Sequence, residues 1–236
     1  MRAALNADVE RLPGAATAGS VQAAINALTA SAAVLYAEFD YIVSTTAQDT
    51  PYGIPMVNAP AAWPTTRGTG ATVAVLDTGL DILHPDLPAA VMMQSFINGE
   101  TVDDLHSHGT HCAGTVLALD NTIGVVGVAP SASLMVGKVL SNGGSGPTSG
   151  VMAGVQWAAD NGANVVSMSL GGGGCSQAFE DICAAAHAAD VLVVAAAGNS
   201  NSDAPHYPSS YPTVVSVMAM DSGRNKASFS TFGPAD

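Results

Sequence analysis

The sequence predicts an α/β fold built on a doubly wound parallel sheet with helices on both faces. Short, β-branched and nearly continuous apolar runs recur along the chain, as in strands buried on both faces. Segments of helical period separate them, and this alternation is the pattern of strand, crossover helix, strand. Glycine and alanine are abundant while aromatic residues make up only 5%, a composition suited to helices packed closely on a sheet.

In chain order, Val21 to Leu28, continuing to Leu35, is Ala-rich with helical spacing, and Val34 to Val43 reads as a strand. Ser44 to Asp49 is a polar junction, and residues 1–46 read either as a small detachable segment or as an ordinary N-terminal arm; composition leaves both open. Strands are expected at Thr72 to Leu76, Leu134 to Leu140, Val165 to Leu170, Val191 to Ala197 and Thr213 to Met220. Helices are expected at Gly109 to Leu119, Thr148 to Asp160 and Gln177 to Asp190. In a sheet of this kind ligands bind beyond the carboxyl ends of the strands, where Asp77, Ser169 and Asn199 emerge.

With 236 residues, 48% of them hydrophobic, the chain can bury a sizeable core. A net charge of −13, with six lysines and arginines in total, argues against nucleic acid or an anionic membrane as partner. No apolar run reaches the roughly 20 residues that span a bilayer, and MRAALNADVE does not resemble a secretory signal. Of three cysteines, Cys175 and Cys183 either close a small disulfide or stay unpaired; spacing leaves both open. Cys112, among Ala113, Gly114 and Thr115, reads as packing.

Two stretches carry the chemistry. In VAVLDTGLD, Asp77 ends a strand, where its carboxylate can orient an imidazole and stabilise an imidazolium. In HSHGTHCAGT, His108 opens a small-residue helix, where it can act as a general base near neutral pH. Alone, the first reads as a turn-capping aspartate and the second as a satisfied polar residue. A metal trio of His106, His108 and His111 lacks an accompanying general base of the HExxH kind. A pair of D-T/S-G turns, at Asp77 and Asp221, is the arrangement of aspartic peptidases, but that fold is all-β and leaves the histidines unexplained.

The strings AVLDTGLDILHPDL, HSHGTHCAGT, GVVGVAPSASL, VSMSLGG, VVAAAGN and ASFSTFGP, in this order, resemble the subtilisin-like serine peptidases, the subtilases. The resemblance runs from Ala47 to the last residue and implies peptide-bond hydrolysis by Asp/His/Ser acyl transfer. It implies that Asp77 and His108 are the triad aspartate and histidine and that Asn199 donates to the oxyanion. Ser169, Leu170 and Gly171 would pair with the substrate backbone, and Ala196, Ala197 and Gly198 would border the specificity pocket. It also implies structural calcium, held by Gln48, the Asp86 carboxylate, the side chain of Asn121 and the carbonyls of Leu119, Ile123 and Val125.

By the same resemblance residues 1–46 are a partial propeptide, cut between Thr46 and Ala47, and residues 47–236 are the N-terminal part of a catalytic domain of secreted type. The family's G-T-S-M-A stretch, whose serine is the nucleophile, is not in the sequence, so the expected fold lacks its C-terminal part. Only six residues follow Ser230, too few for a helix that would activate Ser228 or Ser230. Three functions follow: a portion of a serine endopeptidase with an incomplete triad, a non-catalytic peptide-binding module, or half of a site completed by another chain. The expected partner is a peptide or protein substrate. Loss of the central helix would expose apolar sheet surface and favour self-association.

Overall fold

The computed structural model describes residues 18–31, 47–172 and 174–233. The chain divides into two units, Met1–Thr45 and Thr46–Asp236. In the first, an alanine-rich run forms helix α1 (Ala18–Thr29), with the Gln22 amide donating to Asn26 one turn on. The strand expected at Val34 to Val43, the helical spacing toward Leu35 and the cleavage point after Thr46 lie outside the described residues.

The second unit opens with two single turns, α2 (Gly53–Met56) and α3 (Ala59–Ala62), the latter with proline in its first turn, where a missing N–H costs nothing. It continues through β1 (Thr72–Asp77), β2 (Met92–Ser95), α4 (His108–Leu117), β3 (Ser133–Lys138), α5 (Thr148–Asp160), β4 (Val165–Met168), α6 (Gln177–Ala188), β5 (Leu192–Ala196) and β6 (Val214–Val217). All six strands are parallel, in the order β2-β3-β1-β4-β5-β6. The chain lays β3 on one side of β1 and β4 on the other. The carboxyl end of β1, where Asp77 sits, is therefore the switch point of the sheet.

Side-chain alternation along β1 builds two cores. Ala74 and Leu76 face Val151 and Val155 of α5 and Cys183 of α6, while Val73 and Val75 face Ala113 and Leu117 of α4. Helices thus cover both faces, as the run-and-helix alternation predicts. The second cover is incomplete. On the α4 side, Leu192 of β5 and Val215 and Val217 of β6 are 45%, 45% and 50% exposed. Among the described residues no helix is long and apolar enough to cross a membrane.

Element bounds differ from the sequence reading in specific ways. The run Val165 to Leu170 stops as a strand at Met168, where pairing with β5 ends, and Thr213 to Met220 shortens to Val214–Val217. Val191 to Ala197 becomes Leu192–Ala196, and the helix expected from Gly109 begins at His108. Strand β2 was not anticipated: three of its four residues are exposed, and among the described residues it pairs on one side only. The thiols of Cys175, exposed, and Cys183, buried, are free.

Candidate active site

Asp77 is delivered by the last residue of β1 and is only 1% exposed. His108 begins α4, which packs on the same strand. Its Nδ1 lies 2.7 Å from Asp77 Oδ1. The carboxylate can only accept, so the proton of this bond sits on Nδ1, which leaves Nε2 as the nitrogen that can exchange a proton with a substrate. Asp77 Oδ1 also accepts from the Thr78 backbone N–H at 2.7 Å, while Oδ2 is buried without a hydrogen bond. A Cβ at Gly109 would stand 2.4 Å from the Gly79 carbonyl oxygen. Only glycine lets the start of α4 approach the turn after β1 this closely.

The pair is held by a second carboxylate. Asp104 Oδ1 accepts from Thr78 Oγ1 at 2.9 Å and from the N–H groups of His106 and Ser107. Its Oδ2 accepts from the N–H and Oγ1 of Thr110. It thereby ties the turn after β1 to the first turn of α4, where a negative charge is also favoured by the helix dipole. Burial alone would raise its carboxyl; the bonds from Thr110, Thr78 and His106 outweigh that and hold it down at about 2. Thr78 in turn accepts from the Gly109 N–H through Oγ1, and its carbonyl receives the fully buried Lys138 ammonium. Lys138 also donates to Asn142 Oδ1 at 2.8 Å and lies 3.3 Å from Glu100 Oε2.

A cleft of about 440 Å³ opens beside His108, lined on one wall by Ser169, Leu170, Gly171 and Gly172 and on the other by Gly144 to Gly146. The first wall is the continuation of β4 past its last paired residue, so it is extended chain that has left the sheet. Such a wall can take a peptide strand. Ala196, Ala197 and Gly198 follow at the end of neighbouring β5, and Asn199 comes next, exposed. None of these four lines the open cleft. Cys112 sits one turn along α4, its Sγ 3.8 Å from His108 Nδ1. Burial, with Asp77 nearby, pushes its thiol up to about 11 despite a hydrogen bond with Ser169. It is therefore a thiol, not a thiolate nucleophile, at neutral pH.

Away from the cleft, the loop after α4 closes on Asp86. The carboxylate accepts from Asn121 Nδ2 at 2.7 Å and from the Val125 N–H at 2.8 Å, and the Ile123 N–H donates to Asn121 Oδ1 at 2.7 Å. The Gln48 amide donates to the carbonyls of both Leu119 and Val125. All six residues named for calcium are thus joined in one hydrogen-bonded cluster. Their donor set is oxygen throughout: a carboxylate, two amides and carbonyls, which suits a hard cation. Two amide NH₂ groups turn toward the same carbonyls and carboxylate that a cation would satisfy.

Sequence reasoning missed Asp104, Thr78 and Lys138. An aspartate four positions before His108 carries no periodic or motif signal, a threonine inside D-T-G reads as part of the turn, and a lysine inside the expected strand gives no sign that folding buries it.

Comparisons with known proteins bear on this unit. The model of the Subtilase family matches residues 68–236. Subtilisin DY of Bacillus licheniformis is 46% identical over 193 residues, covering 79% of this chain and 70% of that protein. An alkaline protease of Shouchella clausii is 46% identical over 211 residues, covering 89% and 55%. Subtilisin E of Bacillus subtilis is 42% identical over 226 residues, covering 93% and 59%. The chain thus spans between 55% and 70% of the length of these curated relatives.

Proposed function

We propose that this chain, which belongs to the subtilase family, carries the base, its orienting carboxylate and the peptide cleft of a serine endopeptidase. The observation that carries the reading is the 2.7 Å bond between the buried Asp77 and His108 Nδ1 at the mouth of the cleft. Asp77 fixes the ring and stabilises it once protonated. His108 Nε2 takes the proton of an attacking hydroxyl and returns it to the leaving amine. The exposed Asn199 amide donates to the oxyanion. Ser169 to Gly171 align the substrate backbone, and Ala196 to Gly198 border the pocket for its side chain.

The nucleophile is a serine outside the described residues. Among those residues, no hydroxyl is hydrogen-bonded to His108. Ser230 is fully buried, donating to the Thr231 carbonyl and accepting from the Ala219 N–H. Without a serine-bearing segment the chain binds peptides and does not hydrolyse them. The cluster around Asp86 binds calcium, supported by its oxygen donor set, and residues 1–46 act as a propeptide-like segment.

The test is a peptidase assay with calcium on the chain alone, on the chain refolded with a peptide carrying a G-T-S-M-A helix, and on a His108→Ala control of each. Hydrolysis only with the added segment, and lost in the control, is expected. Hydrolysis by the chain alone would place the nucleophile within this chain and sink this reading.

A further inference from the structure

The loop after β5 brings His206 to the two glycines that flank the proposed side-chain pocket. A Cβ at Gly171 would lie 2.3 Å from His206 Cε1, and one at Gly198 would lie 2.9 Å from His206 Cγ and Cδ2. The imidazole therefore occupies the space that both glycines leave free. The loop is fastened there. Gly172 and Tyr207 exchange both backbone hydrogen bonds, the His206 N–H donates to Ser210 Oγ, and Ser209 Oγ donates to the His206 carbonyl. The ring's Nδ1 is buried without a hydrogen bond, and among the described residues packing holds it between the glycines. The open cleft accordingly reaches Gly171 but not Ala196 to Gly198.

We infer that His206 closes the base of the side-chain pocket between Gly171 and Gly198, so that the chain selects peptides with a small residue, alanine or glycine, at the position that enters it. The inference rests on the cleft being a peptide site. A methyl group reaches the mouth of the pocket without moving the ring. A phenyl group requires the space the imidazole fills, and displacing it breaks packing against the backbones of two glycines that follow β4 and β5. Two tightly packed aromatic planes cannot share one slot, so exclusion comes from volume and needs no charge on the histidine.

Binding tests this without a nucleophile. The amide spectrum of the chain with calcium is titrated with N-acetyl-Ala-Ala-Ala-Ala amide and N-acetyl-Ala-Ala-Ala-Phe amide, reading the Gly171 and Gly198 resonances. The alanine-ending peptide should bind about tenfold more tightly to the native chain, in the range that pocket contacts of this size discriminate. In His206→Gly the order should invert, and in His206→Ala the gap should narrow. Equal binding, or preference for phenylalanine, in the native chain overturns the inference while leaving the cleft in place; this arm does not depend on any variant folding. An unchanged ranking in both variants overturns it as well. If neither peptide shifts cleft resonances, the peptide-site reading fails and the inference fails with it.

Discussion

Asp104 accepts five hydrogen bonds and touches neither Asp77 nor His108, yet it decides where both stand. Its carboxyl lies at about 2 when folded, against an ordinary 3.8. A depressed value means stability that is present above the unfolded pKa and lost as pH falls through the folded one. Asp104→Asn should therefore flatten the acid limb of the stability profile between about pH 4 and pH 2, read from urea midpoints across that range. An unchanged limb would mean the Thr78 and Thr110 bonds do not favour the ionised form. Gly109→Ala acts on the same junction from the other side. Its methyl would meet the Gly79 carbonyl, so the start of α4 must retreat, with an expected loss of about 1–3 kcal/mol in thermal or urea unfolding. The His108 Nδ1 proton resonance, which reports the bond to Asp77, should move with it. Asp77 and His108 were legible because each sits in a motif. Asp104 and His206 were not, since their meaning lies in partners that only folding brings near: Thr78 is 26 residues from Asp104.

At the scale of elements, legibility follows burial. Helix α5 was read to its ends because Pro147 precedes Thr148 and an Asn161-Gly162 turn follows Asp160. The central strands announced themselves as apolar runs, whereas β2, an exposed methionine-rich edge, has neither alternation nor a continuous buried run. The loop around Asp86 was found through resemblance, and its folding explains what calcium would do. Three chain segments, at Gln48, at Asp86 and from Leu119 to Val125, meet there through amides and carbonyls. A cation binding the folded loop alone stabilises it by about 2.7 kcal/mol when present at a hundredfold excess over its Kd. Calcium should thus raise the melting temperature of the native chain, and Asp86→Asn should abolish that increment. A calcium-independent melting temperature in the native chain would remove the ion from the account. The buried Lys138 is a second device at this scale. Lys138→Met leaves Glu100 and the Thr78 carbonyl without their cation, and should cost about 3 kcal/mol in urea unfolding. Adding Glu100→Gln should recover part of it, since the uncompensated carboxylate is then gone.

The whole molecule carries its clearest consequence on the incompletely covered side of the sheet. Register places Leu192 beside Val165, Val194 beside Val215, and Ala196 beside Val217, so the exposed residues of β5 and β6 share the face that α4 covers over β1 and β3. Helix α4 stops short of them, leaving three aliphatic side chains half-exposed on one face of the parallel sheet. Parallel sheets are stable when both faces are covered, because each buried aliphatic chain contributes about 1.5–3 kcal/mol relative to exposure. Two covers are available: a second copy of the chain, or the serine-bearing segment proposed above. They predict opposite dependences on that segment. Alone, the chain should associate as concentration rises, measured by sedimentation velocity, and Val215→Lys with Val217→Lys should keep it monomeric while sparing the other core, whose residues these do not touch. With the serine-bearing peptide bound, association should fall without any substitution, because the same face is then occupied. Association that persists in the double variant would place the contact elsewhere. Association unaffected by the peptide would separate the apolar face from the completion of the active site.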